Sequence, residues 1–366
     1  MQPSSSEITP PGAFTAPVAT SASPPVSIVI CAYTLDRWED LCEAVNTARI
    51  QEPPVEDIVL VIDHNRELEA RAREAFPGAA VVANHGKPGA SGARNAGIAR
   101  ARGEILAFLD DDVRADKLWI SCLLAEFEDQ GVAAVFPLVE PRWEGARPSW
   151  FPDEYLWVVG CSYRGLPKRR QEVRNIIGGA CLYRRSLFVL AGNFSDRLNR
   201  TSGTVPISGE ETEICIRASK HLAARFVFQP SMSVSHKVPA RRQTWYYFTL
   251  RCYAEGLTKA YLTSLVGSER GLSSERSYVL RTLPAGMARG IGDAIFRFDV
   301  SGLGRAAAIV WGLACACLGY AQGRVYSWLR NGRVSARHGP KLPIGVGKGS
   351  TPELSPGRSS APSEKG

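Results

Sequence analysis

The apolar positions of the chain follow one pattern near its start. Continuous apolar runs rich in β-branched residues alternate with stretches where apolar and small residues recur at helical spacing. VSIVICAY begins abruptly at Val26 after a proline pair and reads as a strand buried on both faces. Residues 38–49 carry helical spacing, and Pro53-Pro54 ends that helix. DIVLVID (57–63) is a second buried strand, 67–76 a helix stopped by Pro77-Gly78, and AAVVAN (79–84) a third strand. Residues 91–102 form a helix that begins in a glycine-rich loop, and GEILAFLDDD (103–112) is a fourth strand running into acid. Strands and helices alternating at such short intervals predict a parallel α/β sheet with right-handed crossovers.

The middle is less regular. Residues 118–130 read as a helix, VAAVFPLVE (132–140) as a strand, and 141–172, rich in Pro, Trp, Arg and Tyr, as surface connections. NIIGGACLYRR (175–185) is strand-like before it turns, and 226–228 and 232–235 are two short strands. From Gln243 the pattern is helical to about Arg330. Beyond it Gly, Pro, Ser and Lys dominate, which predicts a disordered basic tail over 331–366. The Ser-, Pro- and Ala-rich residues 1–25 predict a disordered arm. That arm has neither a basic n-region nor an apolar h-region, so it does not read as a secretory signal. No internal repeat is visible.

Composition adds limits. A length of 366 residues allows about two domains. With 45% hydrophobic and 22% charged residues, the chain is neither wholly disordered, collagenous nor a polytopic membrane protein. Lys and Arg total 44 against 36 Asp and Glu, a net charge of +8. That excess suits an anionic partner, although a basic tail explains it equally well. Nine cysteines with no C-x-x-C spacing, most inside apolar runs, read as buried free thiols in a reducing compartment.

The sharpest chemical signal is Asp110-Asp111-Asp112. Ligands collect beyond the carboxyl ends of parallel strands. In an extended strand Asp110 and Asp112 would share a face, and two close carboxylates repel unless a cation lies between them. Mg2+ or Mn2+ takes one or two carboxylates together with substrate phosphates. One acid there would read as a helix cap, but three fit that poorly. Asp63 ends its strand at the same sheet edge, where it would accept hydrogen bonds from a base or ribose or cap a turn. The segment 85–104 has neither G-x-G-x-x-G nor the P-loop pattern. Its Gly89 loop, Lys87, Arg94 and Asn95 can still approach a diphosphate at a helix N-terminus, or form a loop and a basic helix only.

Taken in order, SIVICAY, VLVIDHN, GASGARNAGIARARGEILAFLDDD, IGGACLYRR, GNF and GEETEICIR resemble the family 2 glycosyltransferases over about 26–251. The resemblance implies a GT-A fold, a Rossmann-like, mostly parallel central sheet flanked by helices. The glycosyltransferase domain would cover 26–242, with a C-terminal helical region at 243–330. It places Ala32, Tyr33, Asp63, Lys87, Gly89, Arg94, Asn95, Asp110 and Asp111 at the nucleotide-sugar site, and Asp112, with Asp110, on a divalent cation, Mn2+ or Mg2+. His236, in VSHKVP, resembles the late histidine that completes such a metal shell. SGEETEICIR stands where the family carries Gly-Glu-Asp, so Glu211, or else Glu210, is the implied base. The alternative for both is a pair of first-turn acids on a helix dipole. Arg241, Arg242 and Arg251 would grip phosphate, with Lys237 near them, and Trp157 would stack on an acceptor sugar or pack in the core. The implied reaction is inverting transfer from a UDP-linked sugar to a glycan, lipid-linked or small-molecule acceptor, without nucleic acid. The alternatives are a nucleotidyltransferase, whose loop near the first strand is missing, or a sugar-nucleotide- or polyanion-binding protein that has lost the base.

AAAIVWGLACACLGY (306–320) is uncharged but shorter than the ~20 residues of a simple span. Arginines flank it, and 283–298 upstream is also apolar. Two readings stand: helices lying in the inner leaflet of the cell membrane on a cytoplasmic enzyme of envelope polysaccharide synthesis, or a buried pair packed on the catalytic domain.

Overall fold

The structure is a computed structural model that describes residues 24–196, 201–202, 205–206, 208–266 and 275–337. The expected N-terminal arm lies outside these residues up to 23, and the expected tail from 338 onward. Residues up to Ser327 form one compact unit, and Trp328 onward a second.

The first half follows the hydrophobic pattern closely. β1 (Val26–Ala32), α1 (Trp38–Arg49), β2 (Asp57–Asp63), α2 (Arg66–Ala75), β3 (Ala80–Asn84), α3 (Ala90–Arg100) and β4 (Ile105–Asp110) succeed one another. β1 pairs in parallel with both β2 and β4, and β2 with β3. Each strand feeds two cores: Ile28, Ile30, Leu60 and Ala107 face one, and Val29, Val61, Leu106 and Phe108 face the other. Burial on both faces is why these runs carry no polar alternation. The chain steps outward from β1 to β3, then returns to place β4 on β1's other side. That reversal opens a crevice beyond the carboxyl ends of β1 and β4.

The second half adds β5 (Val113–Ala115), α4 (Trp119–Leu124), β6 (Val132–Trp143), β7 (Gln171–Val173), β8 (Ala180–Arg184) and α5 (Arg185–Ala191). The ribbon strands β9 (Thr201–Ser202) and β10 (Val205–Pro206), then α6 (Glu210–Leu222) and β11 (Arg225–Val238), come next in the chain. The main sheet runs β3-β2-β1-β4-β8-β6-β11-β5, with β7 also on β11. β8 is antiparallel to β4 and β6, while β11 is parallel to β6. The sheet is therefore mixed beyond β4, although the GT-A arrangement expected from the sequence holds.

Three local expectations need correction. The two short strands expected near 226–235 are one strand, β11, whose pairing with β6 shifts register between Gln229 and Ser233. Pro230 and its polar neighbours interrupt the apolar pattern there without ending the strand. The stretch 141–172 is not only surface connection, since Phe151, Tyr155, Val158 and Cys161 are buried. Its aromatic rings fill the space under the C-terminal helices, with Phe151 and Tyr155 against Phe248. The fourth strand stops at Asp110, so Asp111 and Asp112 occupy a turn.

The C-terminal region is α7 (Trp245–Val266), then α8 (Leu283–Phe296) and α9 (Ser301–Arg337). The stretch 306–320 is thus the middle of a longer helix, whose portion Ser301–Leu329 is long and apolar enough to cross a membrane by length and composition. α9 runs past the expected end at Arg330, with no proline before Pro340 to stop it. Glycines let α9 approach closely: Gly256 faces the Ala316 carbonyl, Gly319 the Tyr253 carbonyl, and Gly302 the Gly290 carbonyl.

Gly97 packs α3 onto the sheet. A β-carbon there would collide with Val29 and come within 3.3 Å of Val61 Cγ2, both in buried strands. Gly97→Ala is expected to cost about 1–3 kcal/mol, as overpacked cores do. The expected result is a lower urea midpoint at unchanged slope; an unchanged midpoint contradicts this packing.

Candidate active site

The sheet's carboxyl edge opens into a cavity of about 1020 Å³. Cys31 and Ala32 at the end of β1, Asp63 at the end of β2 and Asp110 at the end of β4 line it, so the chain reversal at β1 brings three separated motifs to one place. Tyr33 comes next, with the Arg37 guanidinium 5.3 Å from its ring centre. Asp63 also has a structural task. Its Oδ2 accepts from the Gly89 amide at 2.7 Å and its Oδ1 from Asn84 Nδ2 at 2.6 Å. This fixes the loop that enters α3, where Gly89 takes φ +114°.

The acidic triplet is divided by the end of its strand. Asp110 keeps strand geometry, is partly open, and lies 3.4 Å from Arg94 Nη2. Asp111 and Asp112 are buried. Asp112, in the turn, faces His236: Oδ1 lies 3.2 Å from His236 Nε2. Arg37 Nη1 donates to Asp111 Oδ1 at 2.7 Å and lies 3.2 Å from Asp112 Oδ2, with Arg242 at 3.7 Å. Burial raises the Asp111 carboxyl to about 7, and its Oδ2 has no hydrogen-bond partner. Burial also acts upward on Asp112, but His236, then Arg37 and Arg242, outweigh it and hold that carboxyl below the usual range. Burial acts downward on His236, yet Asp112 beside it lifts the imidazole to about 10. β11 carries His236 opposite Val113, and the Lys237 amide donates to the Asp112 carbonyl at 2.9 Å. Sheet pairing therefore sets the Asp112–His236 contact.

The opposite wall is the start of α6. Gly209, at φ +124°, turns the chain into the helix, and Glu210 and Glu211 open it. Arg94 Nη1 donates to Glu211 Oε1 at 2.6 Å and to Glu210 Oε1 at 3.1 Å. Glu210 is buried and also accepts from the Gly209 amide at 2.9 Å. Burial first, then the Glu211 charge, raises Glu210 to about 7. Burial acts downward on Arg94, but Glu211, Asp110 and Glu210 together hold it well above its ordinary value. A residue expected to meet the nucleotide is thus the hub of three carboxylates.

Arg242, Arg251 and Trp157 also line the cavity. Trp157 donates to the Tyr278 hydroxyl at 3.0 Å and packs on Tyr155. Lys87, Asn95 and Arg241 are not among the lining residues. Asn95 instead exchanges two 3.0 Å hydrogen bonds with the Phe194 backbone. Lys237 bonds Asp40 at 2.9 Å. Sequence reasoning missed Arg37, whose only signal is its place in the turn after β1. It also missed Lys259 and Glu275, 2.6 Å apart in the cavity wall and 16 residues apart in the chain.

Among the described residues, no three His, Cys, Asp or Glu side chains gather as a metal-holding group. Asp112 and His236 nevertheless place a hard oxygen beside an imidazole nitrogen. A divalent ion that draws most of its shell from a diphosphate needs only one or two protein ligands. The pair fits such an ion, with Arg37 and Arg242 sharing the carboxylate.

The family model Glycosyl transferase family 2 matches residues 27–190. The glucosyl-dolichyl phosphate glucuronosyltransferase of Haloferax volcanii is 29% identical over 66% of this chain and 78% of its own length. A probable N-acetylgalactosaminyltransferase of Caenorhabditis elegans is 22% identical over 54% of this chain, which spans only 37% of that relative. Among solved structures, a mannosyltransferase from Pyrobaculum calidifontis in complex with GDP-Man and Mn2+ aligns with TM-score 0.47 and 14% identity, over 87% of this chain and 82% of that one. Residues 27–190 are therefore a family 2 glycosyltransferase domain.

Arg94→Met would leave Glu210 and Glu211 without their shared cation. Removing one partner of a buried ion pair costs about 3–5 kcal/mol, so a clear fall in melting temperature is expected. Adding Glu210→Gln should restore part of it; strictly additive losses contradict the coupling.

Proposed function

We propose that this family 2 glycosyltransferase moves a sugar from a UDP-linked donor to a hydroxyl of a lipid-linked glycan, with inversion at the anomeric carbon. One observation carries the reading: Asp110, Asp112, His236, Arg94 and Glu211, from four separate segments, line a single cavity at the sheet's carboxyl edge. The lipid-linked acceptor is supported by the Haloferax volcanii relative, whose name specifies a dolichyl phosphate substrate. The resemblance to family 2 enzymes supports the UDP-linked donor.

In this mechanism Asp63 and the open carboxylate of Asp110 accept hydrogen bonds from the nucleoside. Asp112 and His236 would hold a divalent cation, which when bound supplies positive charge against the leaving diphosphate. Arg242 and Arg251 add fixed charge on the same side, where it stabilises the departing group. Glu211 takes the proton from the acceptor hydroxyl as that oxygen attacks. Arg94 donates to Glu211 at 2.6 Å and orients it. No protein nucleophile takes part, so a single displacement inverts the configuration.

A thermal-shift panel of UDP-, GDP- and dTDP-sugars with and without Mn2+ tests the donor, because a ligand that binds only the folded state raises its melting point. The UDP-sugar with Mn2+ should give the largest shift, and a larger shift with another nucleotide corrects the donor. Glu211→Gln should keep that shift while UDP release falls by about 10²–10⁴-fold. Asp112→Asn should lose the Mn2+-dependent part of UDP binding. If the wild type binds nucleotide and turns over no donor, a sugar-nucleotide-binding protein is the better reading.

A further inference from the structure

α9 has two unlike faces. Inward, Ala308, Ile309 and Cys315 are buried, and Gly312 and Gly319 press on Tyr155 and the Tyr253 backbone. The outward face of a helix packed on a water-soluble domain is normally polar. Here no charged residue occurs between Arg305 and Arg324, and Leu303, Val310, Leu318 and Val325 stand exposed at intervals of about two turns. That spacing makes one apolar stripe about 30 Å long at 1.5 Å per residue. The turn before α9 extends it, with Phe296 82% and Phe298 87% exposed and Val300 beside them. Single exposed apolar residues are ordinary, but a contiguous strip of this size marks an interaction surface.

Two observations select its occupant. The segment from Arg281 to Arg324 carries five arginines against two aspartates. Arg305 lies 2.9 Å from Asp293 and 2.8 Å from Asp299, Arg297 lies 3.3 Å from Asp293, and Arg289 pairs with Glu154, so five arginines against three carboxylates leave a net positive balance of two. Arg297 stands between Phe296 and Phe298, and Arg324 beside Val325, so the positive charge borders the strip. A second copy meeting this face across a two-fold axis would set arginines against arginines. An anionic lipid surface neutralises them instead. The inward side of α9 also supplies Leu313 and Tyr320 to the cavity that holds the acidic triplet. A crossing helix would carry that charged cavity into hydrocarbon, where unpaired charge is costly. α9 therefore has only its outer face to offer.

We propose that the α8–α9 corner is a monotopic docking surface for an anionic bilayer. Phe296, Phe298, Val300 and the outer stripe of α9 lie in the boundary between headgroups and acyl chains, with the helix parallel to the membrane plane. The docking holds whatever the acceptor is. If the acceptor is lipid-linked, as the proposed function has it, it reaches the cavity from the bilayer beside its α9 wall.

The test is co-sedimentation of the full chain with vesicles of phosphatidylcholine alone and with about one quarter phosphatidylglycerol. Binding to the mixed vesicles should be stronger and should weaken with salt. The double variant Phe296→Glu, Phe298→Glu should reduce it at least about tenfold while leaving the nucleotide-induced melting shift unchanged. Both rings are outside the cavity, so loss of that shift is not expected from the fold. Undiminished vesicle binding by this variant would show attachment through another basic segment and overturn the proposal. So would failure of the wild type to bind either vesicle, or resistance of bound protein to alkaline carbonate, the mark of a span. A lipid-free dimer that the double variant dissociates overturns it in favour of a second copy.

Discussion

Mutual repulsion among carboxylates is the constraint around which this cavity is built. Asp110, Asp111, Asp112, Glu210 and Glu211 all reach one enclosure, where water screens poorly. Two guanidinium groups divide them. Arg37 bridges Asp111 and Asp112, and Arg94 bridges Asp110, Glu210 and Glu211. The division has a geometric origin: the strand ends after Asp110, so Asp111 turns to Arg37 and Asp112 to Arg37 and His236 of β11, while Asp110 stays with Arg94 of α3. In the proposed mechanism one half of the cavity serves the leaving group and the other the proton transfer.

Much of the frame was legible from the chain, for a definite reason. β1, β2 and β4 are buried on both faces, so each is an unbroken apolar run bounded by turn residues. Such runs admit few alternatives once helices separate them. The acids were legible for the same reason, because a charge ending a buried strand must lie at the sheet edge. The sheet beyond β4 was harder to read. β8, β6 and β11 pair across long sequence separations, and no local pattern encodes whether a strand joins parallel or antiparallel. The same blindness hid Arg37 and Arg94 as bridging groups. An arginine at a helix start reads alike whether it meets a phosphate or three carboxylates from distant segments.

The C-terminal helices show a different limit. Composition alone left lipid contact and core packing in competition, since both call for apolar residues. The two faces separate them. Small residues, Gly302, Gly312 and Gly319, point inward, where backbones meet, and large ones, Leu303, Val310 and Leu318, point outward. A period of 3.6 residues sorts the two sets onto opposite sides of one helix, so neither reading excluded the other. Volume, more than hydrophobicity, told the faces apart.

The contrast between Glu210 and Glu211 arises from the same neutralisation. Both lie within reach of Arg94, yet Glu210 is buried, bonded to its own Gly209 amide and raised to about 7, so near neutrality it is in part protonated. Glu211 is nearer the guanidinium, at 2.6 Å, and more open to the cavity. Where two acids share one cation, burial drives the more enclosed one toward its neutral form, which relieves the repulsion between them. Environments that push two neighbouring acids apart assign their roles. Within the proposed mechanism this makes Glu211 the proton acceptor and Glu210 the partner whose neutrality lets Arg94 serve Glu211. A glutamate where family 2 enzymes usually carry aspartate places the carboxylate one methylene further out, and Gly178 opposite leaves the space that the longer side chain occupies.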